Sequence, residues 1–136
     1  MSNCQYQKDY FVFTARLSCK YKDRKDFKYH IEWFERNLFT DQLITPHNNV
    51  GYATDGEVLV NNFGKLYGDG FLDWDYEVHA IIVHTCTQDE KSYLMIRHEF
   101  EDCDTFNMRS CRVNIAMDVT EQGAKLDNSK QYPWDL

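Results

Sequence analysis

No apolar run in this sequence approaches the roughly 18 residues that a membrane-crossing helix needs. The first residues, MSNCQYQKDY, lack the basic-then-apolar pattern of a secretory leader. There is no CxxC pair: the five cysteines, Cys4, Cys19, Cys86, Cys103 and Cys111, are odd in number and widely spaced. Together these absences predict a cytoplasmic chain with reduced thiols rather than a secreted disulfide framework. Internal repeats, low-complexity tracts and linkers are also missing, so residues 1–136 are expected to form a single domain with 120–136 as a C-terminal tail. Nor is there an excess of positive charge. The net charge is −7, and residues 41–104 carry three Lys/Arg against thirteen Asp/Glu. A field of that sign disfavours direct contact with nucleic acid or an acidic membrane and favours basic protein surfaces.

What the chain has in abundance is rings: nine Tyr, nine Phe and three Trp make up 15% of it. Such side chains dominate both cores and binding faces. Residues 10–22 alternate, with Phe11, Phe13, Ala15, Leu17, Cys19 and Tyr21 on one face, which is the pattern of a half-buried strand. Phe27, Ile31, Phe34 and Leu38 fall at helical spacing, so an amphipathic helix is expected over about 24–39. Asp55-Gly56 inside YATDGEVLV reads as a hairpin turn, and NNFGKLYGDG (61–70) as a glycine-rich loop. Residues 77–86 and 92–100 read as a second hairpin, with Val83 facing Ile96, Ile81 facing His98 and His79 facing Phe100. Residues 109–119 alternate again. The expected fold class is α+β: one helix packed on a curved antiparallel sheet of five to six strands, in the order β-α-β-β-β-β-β.

The densest chemistry lies in GDGFLDWDYEVH (68–79) and EFEDCD (99–104). The first is not a calcium loop, since its acids miss that spacing. A carboxylate nuclease would need Asp73 or Asp75 to converge with Asp89 and Glu90, which fall in the expected hairpin turn. His79, His98 and Cys111 form a metal site only if they converge and a fourth ligand joins them. His84 and Cys86 share a strand face, but an acidic neighbourhood does not activate a thiol. GKLYGDG lacks the order of a phosphate loop, and KYKDRKDFK (20–28) reads as a solvated junction. No catalytic residue, metal ligand or cofactor is therefore assigned.

What remains is a binding surface: Asp69, Phe71, Asp73, Trp74, Asp75, Tyr76 and Glu77, with Glu99, Glu101, Asp102 and Asp104 as a second cluster. The 77–100 hairpin would set Glu77 opposite Asp102 and gather both clusters at one end. The leading expectation is a small acidic binding protein that occupies the basic groove of a nucleic-acid-handling partner. It would act as a phage anti-defence, anti-CRISPR-type or nuclease-immunity-type inhibitor. Alternatively, His30, Glu32 and Glu35 on a central helix resemble hotdog-type thioesterases. The alternative expectation is a small-ligand-binding protein or acyl-handling enzyme with a pocket between helix and sheet, lined by Phe27, Phe34, His79 and His98. A viral structural or assembly subunit is the third expectation.

Overall fold

The segment expected to be a helix is a strand from Phe27 to Arg36. In the computed structural model, which describes residues 8–22, 26–36, 41–45, 50–67, 75–100, 103–104 and 110–126, Phe27–Arg36 is an extended strand, β2. Its inward set is Phe27, Tyr29, Ile31, Trp33 and Glu35, every second residue. The run is rich in aromatic and β-branched residues, which suit a pleated surface. Its other face is half-buried at Lys28, His30, Glu32 and Phe34, so the contrast between the two faces is weak. With Phe34 on that second face, the run mimicked a helical stripe. Glu35, expected on a solvated helix face, is buried.

The other elements are β1 (Lys8–Ser18), β3 (Asp41–Leu43), β4 (Val50–Ala53), β5 (Glu57–Tyr67), β6 (Asp75–Tyr76), β7 (Val78–His84), β8 (Leu94–Glu99), β9 (Cys103–Asp104), β10 (Ser110–Asp118) and β11 (Ala124–Lys125). Among the described residues there is no helix, so the fold is all-β and not α+β. A three-stranded sheet runs β10-β1-β5. A six-stranded sheet runs β11-β8-β7-β2-β3, with β4 also paired to β2, and β6 and β9 form a short ladder of their own. The sheets are not purely antiparallel, because β1 and β10 run parallel from Tyr10↔Ser110 to Ser18↔Asp118.

The expected first hairpin is also corrected. β4 pairs with β2 in one sheet and β5 with β1 in the other, so Asp55-Gly56 is a crossing between sheets. Gly56 takes φ 76°, which favours glycine, and its carbonyl accepts from the Cys19 N–H at 2.7 Å. Residues 61–67, expected as loop, belong to β5.

The second hairpin forms with its register one residue from expectation: Val83 faces Met95, Ile81 faces Arg97 and His79 faces Glu99. Asp89 sets the turn. Its Oδ1 accepts from the backbone N–H of Lys91 at 2.9 Å and Ser92 at 2.8 Å, and from Thr87 Oγ1 at 2.9 Å; its Oδ2 accepts from Ser92 Oγ at 2.6 Å. These donors, Ser92 first among them, hold the Asp89 carboxyl far below the usual carboxylate range. The turn thus centres on Asp89, which a symmetric QDEK turn would not do.

The sheets close over a core of rings. Phe13 of β1 stacks on Trp33 of β2 with centroids 4.2 Å apart, and Trp33 meets Phe100 at 5.6 Å. The indole Nε1–H donates across the sandwich to Asn62 Oδ1 of β5 at 2.9 Å, so the ring is buried without orphaning its polar atom. At the other end a disulfide joins Cys19, just after β1, to Cys86, just after β7, with their Cα atoms 5.8 Å apart. Cys111 is disulfide-bonded as well. The expectation of reduced thiols is therefore overturned. Among the described residues no helix is long and apolar enough to cross a membrane.

His84 braces the disulfide end. Cys86 N–H donates to its Nδ1 at 3.0 Å, so Nε2 carries the proton and donates to the Gln122 carbonyl at 2.8 Å. Burial pushes the ring's pKa down, against the Gln122 bond and the Glu121 charge, which pull it up. Protonation would break the Cys86 bond. The folded pKa lies below the unfolded value of 6.5, so this contribution is complete above pH 6.5 and is lost as pH falls through the folded value. The unfolding free energy from urea titrations run from neutral pH downward should fall below pH 6.5, by at most about 1.4 kcal/mol per pH unit for this one proton. A His84→Gln variant should show a flatter profile; identical profiles would remove His84 from the account.

Candidate binding surfaces

One described acid from each acidic cluster meets the other in the β6–β9 ladder, which sets the position of Asp75 opposite Asp104 and that of Tyr76 opposite Cys103. Glu77 follows directly and is exposed. Glu99, at the end of β8, is exposed between two cations: Arg97 Nε lies 3.4 Å and Arg36 Nη2 3.9 Å from its Oε1. Arg36 also donates its backbone N–H to the Glu77 carbonyl at 2.9 Å. A cleft of 210 Å³ opens here, lined by Arg36, Glu77, Val78, His79, Glu99 and Phe100. Asp69, Phe71, Asp73, Trp74, Glu101 and Asp102 lie outside the described residues.

The histidine candidates separate. His79 is buried and stacks on Phe34, centroids 5.4 Å apart. His98 pairs with Ala80 on the opposite face of the sheet and meets Phe100 edge-on at 4.8 Å. Cys111 stands in the other sheet. Among the described residues no group of three or more His, Cys, Asp or Glu is placed to hold a metal ion. Cys86 is bridged to Cys19 and is no nucleophile. The thioesterase-like pocket has no helix to form it: Phe27 is core, while Phe34 and His79 share the other face of the sheet. His30 and Glu32, half-buried on that same face of β2, lie 3.7 Å apart.

A second surface escaped the sequence reading. On the outer face of the three-stranded sheet, Phe63 is 67% exposed, Tyr10 52% and Leu59 51%. Phe63 stands opposite Val12, and Val12 opposite Arg112. Beside Phe63 an open groove of 580 Å³ runs between the end of β5 and the chain leaving β3, over Ile44, Thr45 and Gly64. Gly64 admits that close approach, since a Cβ there would sit 2.6 Å from the Ile44 carbonyl oxygen. The glycines that suggested a loop therefore concealed this strand. Comparison with protein-family models, with curated proteins and with solved structures yields no match.

Proposed function

We propose that this chain is a binding domain rather than an enzyme, and that it presents its acidic end to a basic protein surface. One observation carries the reading: the β6–β9 ladder sets Asp75 opposite Asp104, next to the exposed Glu77 and Glu99. Like charges directly opposite one another on a ladder are destabilising. A chain that keeps them is compensated when cations arrive, and Arg36 and Arg97 already play that part at Glu99. Electrostatic steering by such an end raises association rates by about 10- to 1,000-fold and fades with salt. A partner whose basic groove handles nucleic acid would be blocked, since carboxylates would stand where phosphates bind.

The disulfide between Cys19 and Cys86 supports action in an oxidising compartment, in place of the expected cytoplasm. The narrower expectation of a phage-encoded inhibitor working inside a cell finds no support and is not part of the proposal.

The test uses an oligo-arginine peptide as probe. The parent should bind it at low ionic strength and release it as salt rises. The triple variant Asp75→Asn/Glu77→Gln/Asp104→Asn should bind at least about tenfold more weakly, with a melting temperature equal to or above the parent's because the like-charge repulsion is relieved. Equal binding by parent and variant at low salt would remove the acidic end as the working surface.

A further inference from the structure

We infer that the outer edge of β5, with which no other described strand pairs, is a self-pairing surface, and that two copies of this chain join there into one continuous antiparallel sheet. β5 is the last strand of its sheet, eleven residues long, and its ladder with β1 is unbroken from Lys8↔Tyr67 to Ser18↔Glu57. The Cys19 N–H bond to the Gly56 carbonyl fixes which residues face β1. The even-numbered residues of β5 turn their peptide groups inward to β1, because peptide directions alternate along a strand. The odd-numbered ones, Glu57, Leu59, Asn61, Phe63 and Lys65, turn theirs to the open edge. Among the described residues no strand pairs with that edge. The same five residues point their side chains to solvent.

Their order is acid, aliphatic, amide, aromatic, base. Antiparallel pairing about Asn61 sets Asn61 against Asn61 of the second copy, Leu59 against its Phe63, and Glu57 against its Lys65. Every pair is then a favourable cross-strand contact, and each is made twice by the twofold symmetry. Parallel pairing in register would set Glu57 on Glu57 and Lys65 on Lys65. On the inner face the same register puts Val58 of the second copy opposite Gly64, at the mouth of the groove over Ile44. Edge strands that avoid association do so with proline, bulges, short length, inward charges or outward charges, above all lysine. β5 has only the last: its inward residues are Val58, Val60, Asn62, Gly64 and Leu66. Its outward charges, Glu57 and Lys65, are opposite in sign, and each meets its complement in the paired register. None of the five outward residues lines the acidic cleft, and the inference does not depend on it.

Sedimentation equilibrium over a concentration series tests the inference. The parent should reach a dimer. Lys65→Glu sets two acids opposite each other at each end of the ladder and should raise the dimer Kd by about tenfold; Glu57→Lys should do the same with two bases. Mixing the two variants in equal amounts should restore parent-like affinity as a heterodimer, because each chain then supplies the charge the other lacks. That recovery also shows that both variants are folded. A parent that stays monomeric throughout would overturn the inference. So would single variants that dimerise as tightly as the parent, or a mixture that gains nothing.

Discussion

Replacing both Cys19 and Cys86 with alanine should lower the unfolding free energy by about 4 kcal/mol. The bridge spans 67 residues of sequence and so closes a long loop in the unfolded chain. The chain-entropy account gives about 4 kcal/mol for a loop of that size. Against a typical total of about 5–15 kcal/mol, the loss leaves a marginal domain. The position of the bridge adds to the effect. Cys19 and Cys86 follow strands of opposite sheets, so the bridge pins one end of the sandwich, beside the Glu121 N–H bond to the Cys86 carbonyl and the Tyr21 hydroxyl bond to Glu121. Urea unfolding of parent and double variant measures the difference, and a reductant should move the parent toward the variant. An unchanged urea midpoint would mean that the sheets hold together without the bridge.

Trp33→Ala should be comparably severe, at about 3–5 kcal/mol. The ring is fully buried at the centre of the sandwich, stacked between Phe13 and Phe100. Removing it opens a cavity that the surrounding strands, locked by their ladders, fill poorly. It also removes the indole N–H bond to Asn62 Oδ1, one of the links across the sandwich. Trp33→Phe keeps much of the volume and loses only the donor, so it should cost less than half as much. A loss under about 1 kcal/mol for the alanine variant would show that this contact is not the keystone of the core. Chemical denaturation followed by far-ultraviolet circular dichroism reads both variants without relying on the tryptophan signal.

Legibility in the sequence followed burial on one side. β1 and β10 each cover one face and expose the other, so their alternation could be read directly from Phe11–Leu17 and Cys111–Val119. β2 has neighbours on both edges, fuller cover on its inner face and partial cover on the other, so Lys28, His30 and Glu32 are half-buried and the period blurs. Asp55-Gly56 announced a change of direction correctly. Turn residues encode local dihedral angles, however, and say nothing of which sheet the next strand joins. The β7–β8 register turned on the hydrogen bonds of a single carboxylate, Asp89. The disulfide was hidden by an odd cysteine count and a long separation. The hairpin's symmetry predicted Glu77 opposite Asp102, which lies outside the described residues; the ladder that is described sets Asp75 opposite Asp104. The Leu59–Phe63 surface was missed because Gly64 reads as a loop residue until Ile44 is seen above it.

The parallel pairing of β1 with β10 sets the order in which the molecule can be built. Tyr10 meets Ser110 and Ser18 meets Asp118, so the first strand waits for nearly the whole chain before its second neighbour exists. Contacts so remote in sequence place the fold among slow, topology-limited folders. During synthesis β1 can zip onto β5 early, yet its far side stays bare until the last quarter of the chain emerges. For that interval the nascent protein carries an open strand rimmed by Phe11 and Phe13, the stretch most exposed to mispairing with other chains.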